Sequence, residues 1–488
     1  MRWNAWVALV TTTLVGLLLW ILLLRGPRIL DSDATLILGQ LLLGMCLLGI
    51  AGLIATTPPD AVKLTLYNSR MIIIGGSILL QMWAVILLWP ALSSEVTRYR
   101  LDGLTWLTGR SPYATTPRQM LRTSSIDAID RTVPANDSHS VYPPVAQTVF
   151  IAARAIEMVT VGPAKLDADR PESAVRRWRA ALPYLSFSQR AIVLRVIFSI
   201  AAVLCTCVLL SLLEHTHRTP WLAVLFAWNP LVILETAGSP HVDIVGVLLV
   251  LVMLRMIQKG NFTLATLALC LACGVKPTAI LLAPLLIQKI SDRQDWKVAE
   301  RAIGIAILTL AVVFGPILLV QHGYRGWIVQ LNAYAHLREV NSAVFSLAKS
   351  VFGATWMAGN ARAFFLLLAP LAAAGVLLWI IKKRWPMEDA GYWLMLAVLL
   401  LAPAAQPWSL LWPLCFVPVM RISRGWTVLA WSATAALSYA AWHQSTWEVP
   451  GRILMAEYAP VLVALWIELA DLRQRYVATK PVRAISSD

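Results

Sequence analysis

Long apolar runs separated by short polar breaks dominate the chain from Trp3 to Leu472. A membrane-spanning helix needs roughly 20 mostly apolar residues. Runs of this kind predict spans at 3–24, 35–57, 71–91, 191–213, 220–235, 242–257, 299–321, 363–381, 391–405, 425–443 and 455–472, with a shorter one at 409–420. The stretch 262–290 is interrupted at Gly274, Lys276 and Pro277 and reads as two half-helices meeting at Lys276. The pattern predicts an all-α polytopic membrane protein with about 12–14 transmembrane or half-membrane helices. Its expected order is N-terminal transmembrane helices over 1–91, a large outer loop over 92–190, and transmembrane helices again over 191–488. The first run is too long for a signal-peptide core and lacks a small-residue cleavage site, so it reads as a retained span.

The 92–190 loop has a pattern of its own. Ser93–Thr108, Tyr142–Thr160 and Glu172–Leu182 mix apolar and charged residues at near-helical spacing, which predicts helices lying in the membrane interface. The polar stretch Ser111–Pro144 reads as an ordered loop over a site.

Composition agrees with the pattern. Of 488 residues, 58% are hydrophobic and 14% charged, whereas soluble domains are about a quarter charged. A soluble multi-domain protein is excluded. The net charge of +15 comes from basic residues gathered at helix ends: Arg255 and Lys259, Lys289 to Arg301, Lys382 to Arg384, Arg421 and Arg424, and Arg473 to Arg483. Membrane lipids, not nucleic acid, are the expected partner of such charges, and the positive-inside rule places these loops in the cytoplasm. The same alternation puts 92–190, 236–241, the Lys276 tip, 322–362 and 406–408 on the outer face. The six cysteines lie in apolar segments, and the C-x-x-C spacing of Cys270 and Cys273 has no second pair, so they read as packing.

Four groups of residues carry candidate chemistry. Glu95, Arg98, Tyr99 and Asp102, at i, i+3, i+4 and i+7, share one helix face just past a span. A carboxylate at the mouth of an apolar cavity suits a general base; the plainer reading is a solvated face with a Glu95–Arg98 pair. Trp228-Asn229-Pro230, Glu235, His241 and Asp243 form the second group, and charges at membrane depth mark a site by default. A mere interfacial Glu235–His241 pair is its alternative. Lys276, at the tip of two half-helices, is a cation seeking an anion, with lipid phosphate the available one, unless it snorkels to the headgroups. Finally, Gln406, Trp408 and Trp412 break an apolar run with an amide and indoles, and aromatic faces suit sugar rings as well as they suit a membrane belt. No Walker loop, G-x-S-x-G, H-E-x-x-H or dinucleotide fingerprint is present.

In order along the chain these segments resemble the GT-C superfamily of glycosyltransferases, in particular the bacterial polyprenol-phosphate-mannose-dependent mannosyltransferases. The stretches that carry the resemblance are Glu95-Val96-Thr97-Arg98-Tyr99-Arg100-Leu101-Asp102-Gly103, Ser111-Pro112-Tyr113 and Tyr142-Pro143-Pro144-Val145-Ala146-Gln147, then Trp228-Asn229-Pro230, Glu235, His241-Val242-Asp243, Lys276-Pro277 and Gln406-Pro407-Trp408. Together they cover about residues 90 to 415. The family's first acid of a pair is Ser94 here, its aromatic before Asp102 is Leu101, and Gln406 and Ser409 stand where a histidine and a tyrosine are usual.

The resemblance implies an inverting transfer of a sugar, mannose by the family's habit, from a polyprenyl-phosphate carrier to an acceptor glycan or glycolipid at the outer face of a bacterial inner membrane. Glu95 would be the base; Lys276, His241 and Arg98 would hold the departing phosphate; Tyr99, Asp102, Tyr142, Glu235, Asp243, Gln406 and Trp408 would line the substrates. No cofactor is expected besides the lipid-phosphate sugar, and a single acid argues against a divalent metal. A lipid or glycan transporter or flippase is the rival class, since broken helices and intramembrane charges serve transport equally, but it leaves the outer loop unexplained. A lipid-linked glycan polymerase or ligase is the other alternative.

Overall fold

The computed structural model describes residues 66–90, 92–122, 129–133, 137–161, 184–293, 295–319, 323–337, 341–352, 362–443 and 449–478, besides Gly49. The expected spans at 3–24 and 35–57 and the expected interfacial helix Glu172–Leu182 lie outside the described residues.

The described residues fold into the helices α1 (Leu66–Leu87), α2 (Glu95–Leu107), α3 (Pro144–Thr160), α4 (Ile192–His215), α5 (Asp243–Gln258), α6 (Phe262–Cys273), α7 (Ala283–Ser291), α8 (Trp296–Leu319), α9 (Gly323–Leu337), α10 (Ala343–Phe352), α11 (Arg362–Lys383), α12 (Met387–Leu401), α13 (Trp426–Thr434) and α14 (Gly451–Ala478), joined by short helical turns. Among the described residues, four helices are by length and composition able to cross a membrane: Asn68–Leu87, α4, α8 and Gly451–Gln474. A fifth span arises if Pro220–Ala227 and Pro230–Gly238, bent by 51°, count as one. The protein is an all-α membrane protein.

Local chemistry explains the breaks. Asn229 ends the first half of the bent pair and caps the second: its Oδ1 accepts the Leu231 N–H at 2.9 Å and its Nδ2 donates to Ser432 Oγ at 3.1 Å. Pro230, with no N–H to offer, occupies the first helical position. The Trp228-Asn229-Pro230 motif is thus a hinge between helices, with Trp228 lying where any side chain on Gly76 of α1 would sit. The predicted interruption of 262–290 is equally real. Helix α6 ends at Cys273, Lys276 is extended, and Pro277 opens a 3-10 turn, Pro277–Leu282, that leads into α7. Sequence patterning had left 322–362 as a connection; α9 and α10 fold there.

Helices α2 and α3 pack so closely that a Cβ on Gly103 would lie 2.4 Å from the Phe150 carbonyl oxygen. Beneath that contact, Arg100, Asp130, Arg154 and Glu157 close a ring of alternating charge. Arg100 bonds Asp130 (3.3 Å) and Glu157, and Arg154 bonds Asp130 (2.7 Å) and Glu157 (3.0 Å). All four residues are buried, so each charge has its opposite on both sides and none is left desolvated alone.

Buried charge elsewhere is answered in the same way. Arg195, fully enclosed in α4, donates to the carbonyls of Ala84 and Leu88 (both 2.8 Å), at the end of α1, and of Ala237 (2.5 Å). Glu468 of α14 accepts from the Gly425 and Thr427 amides and from the Thr427 and Tyr392 hydroxyls, at 2.6–3.0 Å.

Candidate active site

Glu95 is the first residue of α2. The Ser93 hydroxyl accepts its N–H at 3.1 Å and the Ser94 carbonyl accepts the Thr97 hydroxyl at 2.7 Å, so the two serines shape the start of the helix. A carboxylate in the first turn is favoured by the helix dipole. The Tyr142 hydroxyl donates to Glu95, holding it against the loop that leads into α3.

One turn along, Arg98 Nε bonds Asp102 Oδ1 at 2.7 Å. Asp102 Oδ2 accepts from Ser140 Oγ (2.5 Å) and Gln147 Nε2 (3.0 Å), while Arg98 Nη1 reaches the Ser138 carbonyl at 3.1 Å. The shared face exists, but Arg98 pairs with Asp102 and not, as spacing suggested, with Glu95. Both residues tie residues 138–147 down over α2, which leaves Glu95 as the acid at the helix mouth.

Tyr99 joins this half of the site to the other. Its ring stacks on Phe150 (4.3 Å between centroids) and meets Tyr142 edge-on (5.1 Å). Its hydroxyl lies within electrostatic reach of both Glu95 and Asp243. Burial above all, then those two carboxylates, pushes the phenol well above its usual pKa, so Tyr99 stays protonated.

Lys276 stands on the far side. Its ammonium donates to Asp243 Oδ1 (2.6 Å) and Ser409 Oγ (3.2 Å), and the Trp412 indole N–H donates to the same Asp243 oxygen at 2.7 Å. The lysine does not snorkel outward; it turns into the protein while remaining 29% exposed. Trp412 is seated by Gly246, where a Cβ would fall 2.6 Å from the indole. The tip itself is docked onto the start of α3, because the Val145 and Ala146 amides both donate to the Gly274 carbonyl, at 2.9 and 3.2 Å. Any Cβ on Gly274 would meet Val145 at 2.4 Å.

Glu235 and His241 form an enclosed pair. Glu235 lies on a π-helical turn, Leu234–Gly238, a distortion that recurs at functional sites. Its Oε1 accepts the Tyr439 hydroxyl at 2.7 Å, and its Oε2 lies 2.9 Å from His241 Nδ1. That approach is close but poorly aligned for a hydrogen bond, and His241 Nε2 is unpartnered. The imidazole stacks flat on Trp408, 3.9 Å between centroids at 12°. His241 is 0% exposed, in contrast to the partly accessible Lys276. Gln406 is buried beside them.

The structure therefore joins Glu95, Tyr142 and Tyr99 in one set of contacts and Asp243 with Lys276 in another, docks the two through Val145, Ala146 and Gly274, and sets Glu235, His241 and Trp408 in a further cluster. Pattern reading missed Ser409 as a partner of Lys276, Tyr439 as a partner of Glu235, and Glu457. This last acid, at 0% exposure in α14, accepts from Asn341 Nδ2 and Trp431 Nε1, both at 2.8 Å. A lone acid within an apolar run was the signal available for it. Among the described residues no three His, Cys, Asp or Glu side chains come together as a metal site.

These features define the class: an all-helical membrane protein with a carboxylate at the mouth of one helix and a lysine at the tip of a broken one, joined by an ordered loop. Comparison with known proteins is more specific. Residues 173–291 match the family model described as α-(1→6)-mannopyranosyltransferase, N-terminal domain. Over 240 residues the chain is 23% identical to α-(1→6)-mannopyranosyltransferase A of Mycobacterium tuberculosis, a match that spans 45% of each protein. The chain thus matches less than half the length of that relative. The likeness to mannosyltransferases of the GT-C type, first drawn from motifs, is supported, and the matched region contains Glu235, His241, Asp243 and Lys276.

Proposed function

We propose that the protein is an inverting mannosyltransferase that takes mannose from a polyprenyl-phosphate carrier and passes it to a glycan or glycolipid acceptor on the outer face of a bacterial inner membrane. The observation that carries this reading is the docking of the loop that holds Tyr142, the partner of Glu95, onto the tip that bears Lys276, through the Val145 and Ala146 amides on the Gly274 carbonyl. A base and a phosphate-binding cation held on two sides of one docked contact are what a single displacement at a sugar carbon requires.

In this mechanism the acceptor hydroxyl gives its proton to Glu95 as its oxygen attacks the anomeric carbon. The bond to the carrier's phosphate oxygen breaks on the opposite side, so the configuration inverts. Negative charge develops on the leaving phosphate. Lys276 answers it: an ammonium has three donors, Asp243 and Ser409 take two of them, and the exposed remainder faces the ligand. Asp243 and Trp412 hold the lysine in position, and Arg98 and Asp102 hold the loop that carries Tyr142. No metal is invoked, because the cation that stabilises the leaving group is already part of the chain.

The direct experiment supplies membranes containing the protein with radiolabelled polyprenyl-phosphate mannose and a mannoside acceptor, the α-(1→6) linkage of the relative being the first product to look for. Label should pass to the acceptor, and a nucleotide-linked mannose should not replace the lipid donor. If no lipid-linked sugar is consumed with any acceptor, the transport reading takes its place.

A further inference from the structure

A second site lies at the other end of the bundle. Helix α5 runs 16 residues from Asp243 to Gln258, which puts its far end about 24 Å from the candidate active site at 1.5 Å per residue. There, a cavity of about 360 Å³ opens between the end of α5, Lys289 of α7, the turn Arg384–Glu388 and Arg421. Three cations from three separate parts of the chain therefore face one space. Among the described residues lining it, Glu388 is the one carboxylate, and it lies 3.5 Å from Arg421. Gln258 also lines it, and the rest of the wall is apolar, including Leu254, Ile257 and Met387.

The backbone here is built to hold those cations. Arg384 has φ of 50°, the left-handed conformation that ends helices and that glycine adopts freely while a bulky side chain does not. The Arg384 and Trp385 amides donate back to the Ile381 and Ile380 carbonyls, at 3.1 and 3.3 Å, and fix it there. On the facing side, Asp389 accepts the amides of Arg421, Ile422 and Ser423 at 2.8–2.9 Å and anchors the segment that carries Arg421. Strain of this kind, held in place by its surroundings, points to use. Basic loops generally distribute their charge along a membrane surface, whereas these residues converge on a cavity with a greasy wall.

We propose that this cavity binds the phosphate of an anionic phospholipid headgroup, gripped by Lys289, Arg384 and Arg421, with the glycerol and upper acyl chains against Leu254 and Ile257. The site is independent of the sugar-transfer reading and stands or falls separately.

The test uses the full-length protein in nanodiscs of phosphatidylcholine with or without phosphatidylglycerol, with retained lipid counted by native mass spectrometry and Tm measured alongside. Phosphatidylglycerol should survive delipidation on the parent protein and raise its Tm. Lys289→Gln combined with Arg384→Gln should weaken that retention roughly tenfold or more, while Lys289→Arg keeps it. Arg384→Gly is the folding control, since it removes the cation and relieves the backbone; it should melt no lower than the parent in pure phosphatidylcholine yet lose the phosphatidylglycerol effect. Inorganic phosphate separates the two sources of the anion: stabilisation by phosphate without preference for phosphatidylglycerol would assign the cavity to a free phosphate. Equal retention of phosphatidylglycerol by the parent and both Arg384 variants would overturn the proposal.

Discussion

Lys276 Nζ lies 2.6 Å from Asp243 Oδ1, although 33 residues and a change of helix separate them. The pair explains why a lysine at a helix break near the membrane surface does not simply reach for the headgroups. Asp243 holds it inward, and Trp412 and Ser409 fix the geometry. Lys276→Ala should weaken binding of the lipid-phosphate donor by about 1.5–3 kcal/mol, roughly tenfold to a hundredfold, and Lys276→Arg should keep part of it. Lys276→Ala also strands a mostly buried carboxylate. Adding Asp243→Ala should therefore recover thermal stability without recovering donor affinity, which a binding titration and a melting curve on the same samples will show.

Gly246 offers a gentler route to the same pair. A valine there collides with Trp412, so the indole moves and Asp243 loses a donor. Donor affinity should fall by about tenfold, the worth of one hydrogen bond to a charged group, with Lys276 itself intact. Unchanged affinity would remove Trp412 from the account.

The ring of Arg100, Asp130, Arg154 and Glu157 makes a prediction about stability. Glu157→Gln leaves two arginines with one carboxylate in a buried setting. The expected cost is about 3–5 kcal/mol, the range for breaking a buried ion pair. Thermal unfolding in neutral lipid should register it, together with loss of α2–α3 docking seen as faster amide exchange over 144–160.

The fold was largely legible in the sequence because membrane helices declare themselves by composition: α1, α4, α8 and α14 all fall on predicted runs, and Gly274-Val275-Lys276-Pro277 announced its own break. The site was legible in part. Glu95, Asp102 and Lys276 stood out as charges beside apolar segments, but their partners did not. Arg100 meets Asp130 and Glu157 across gaps of 30 and 57 residues, and Lys276 meets Ser409 across 133. No helical or strand period links positions so far apart, so only the folded chain reveals the pairing. Arg195 is instructive in the other direction. A charged residue inside an apolar run was visible, yet its bonds to the Ala84, Leu88 and Ala237 carbonyls depend on where α1 ends.

His139 gives a pH dependence. It is half-buried in the loop before α3, and burial first, then the neighbouring Arg98, lowers its pKa below the usual 6.5, with Asp137 opposing. The folded state thus binds the proton less readily than the unfolded one. Its contribution is complete above the unfolded value and is lost as pH falls from about 6.5 toward the lower folded value. Amide protection over 137–143, taken relative to the intrinsic exchange rate at each pH, should fall between pH 7.5 and pH 5, and His139→Gln should flatten that response.

The central claim is that Glu95 accepts the acceptor's proton, and Glu95→Gln tests it most directly. The amide keeps the shape of the side chain and its contact with Tyr142 but takes no proton. Mannosyl transfer from polyprenyl-phosphate mannose should fall by roughly a hundredfold or more, while donor affinity remains near that of the parent because the loss belongs to the transition state. Normal turnover by Glu95→Gln, with turnover lost instead in Asp102→Asn or Glu235→Gln, would contradict the assignment.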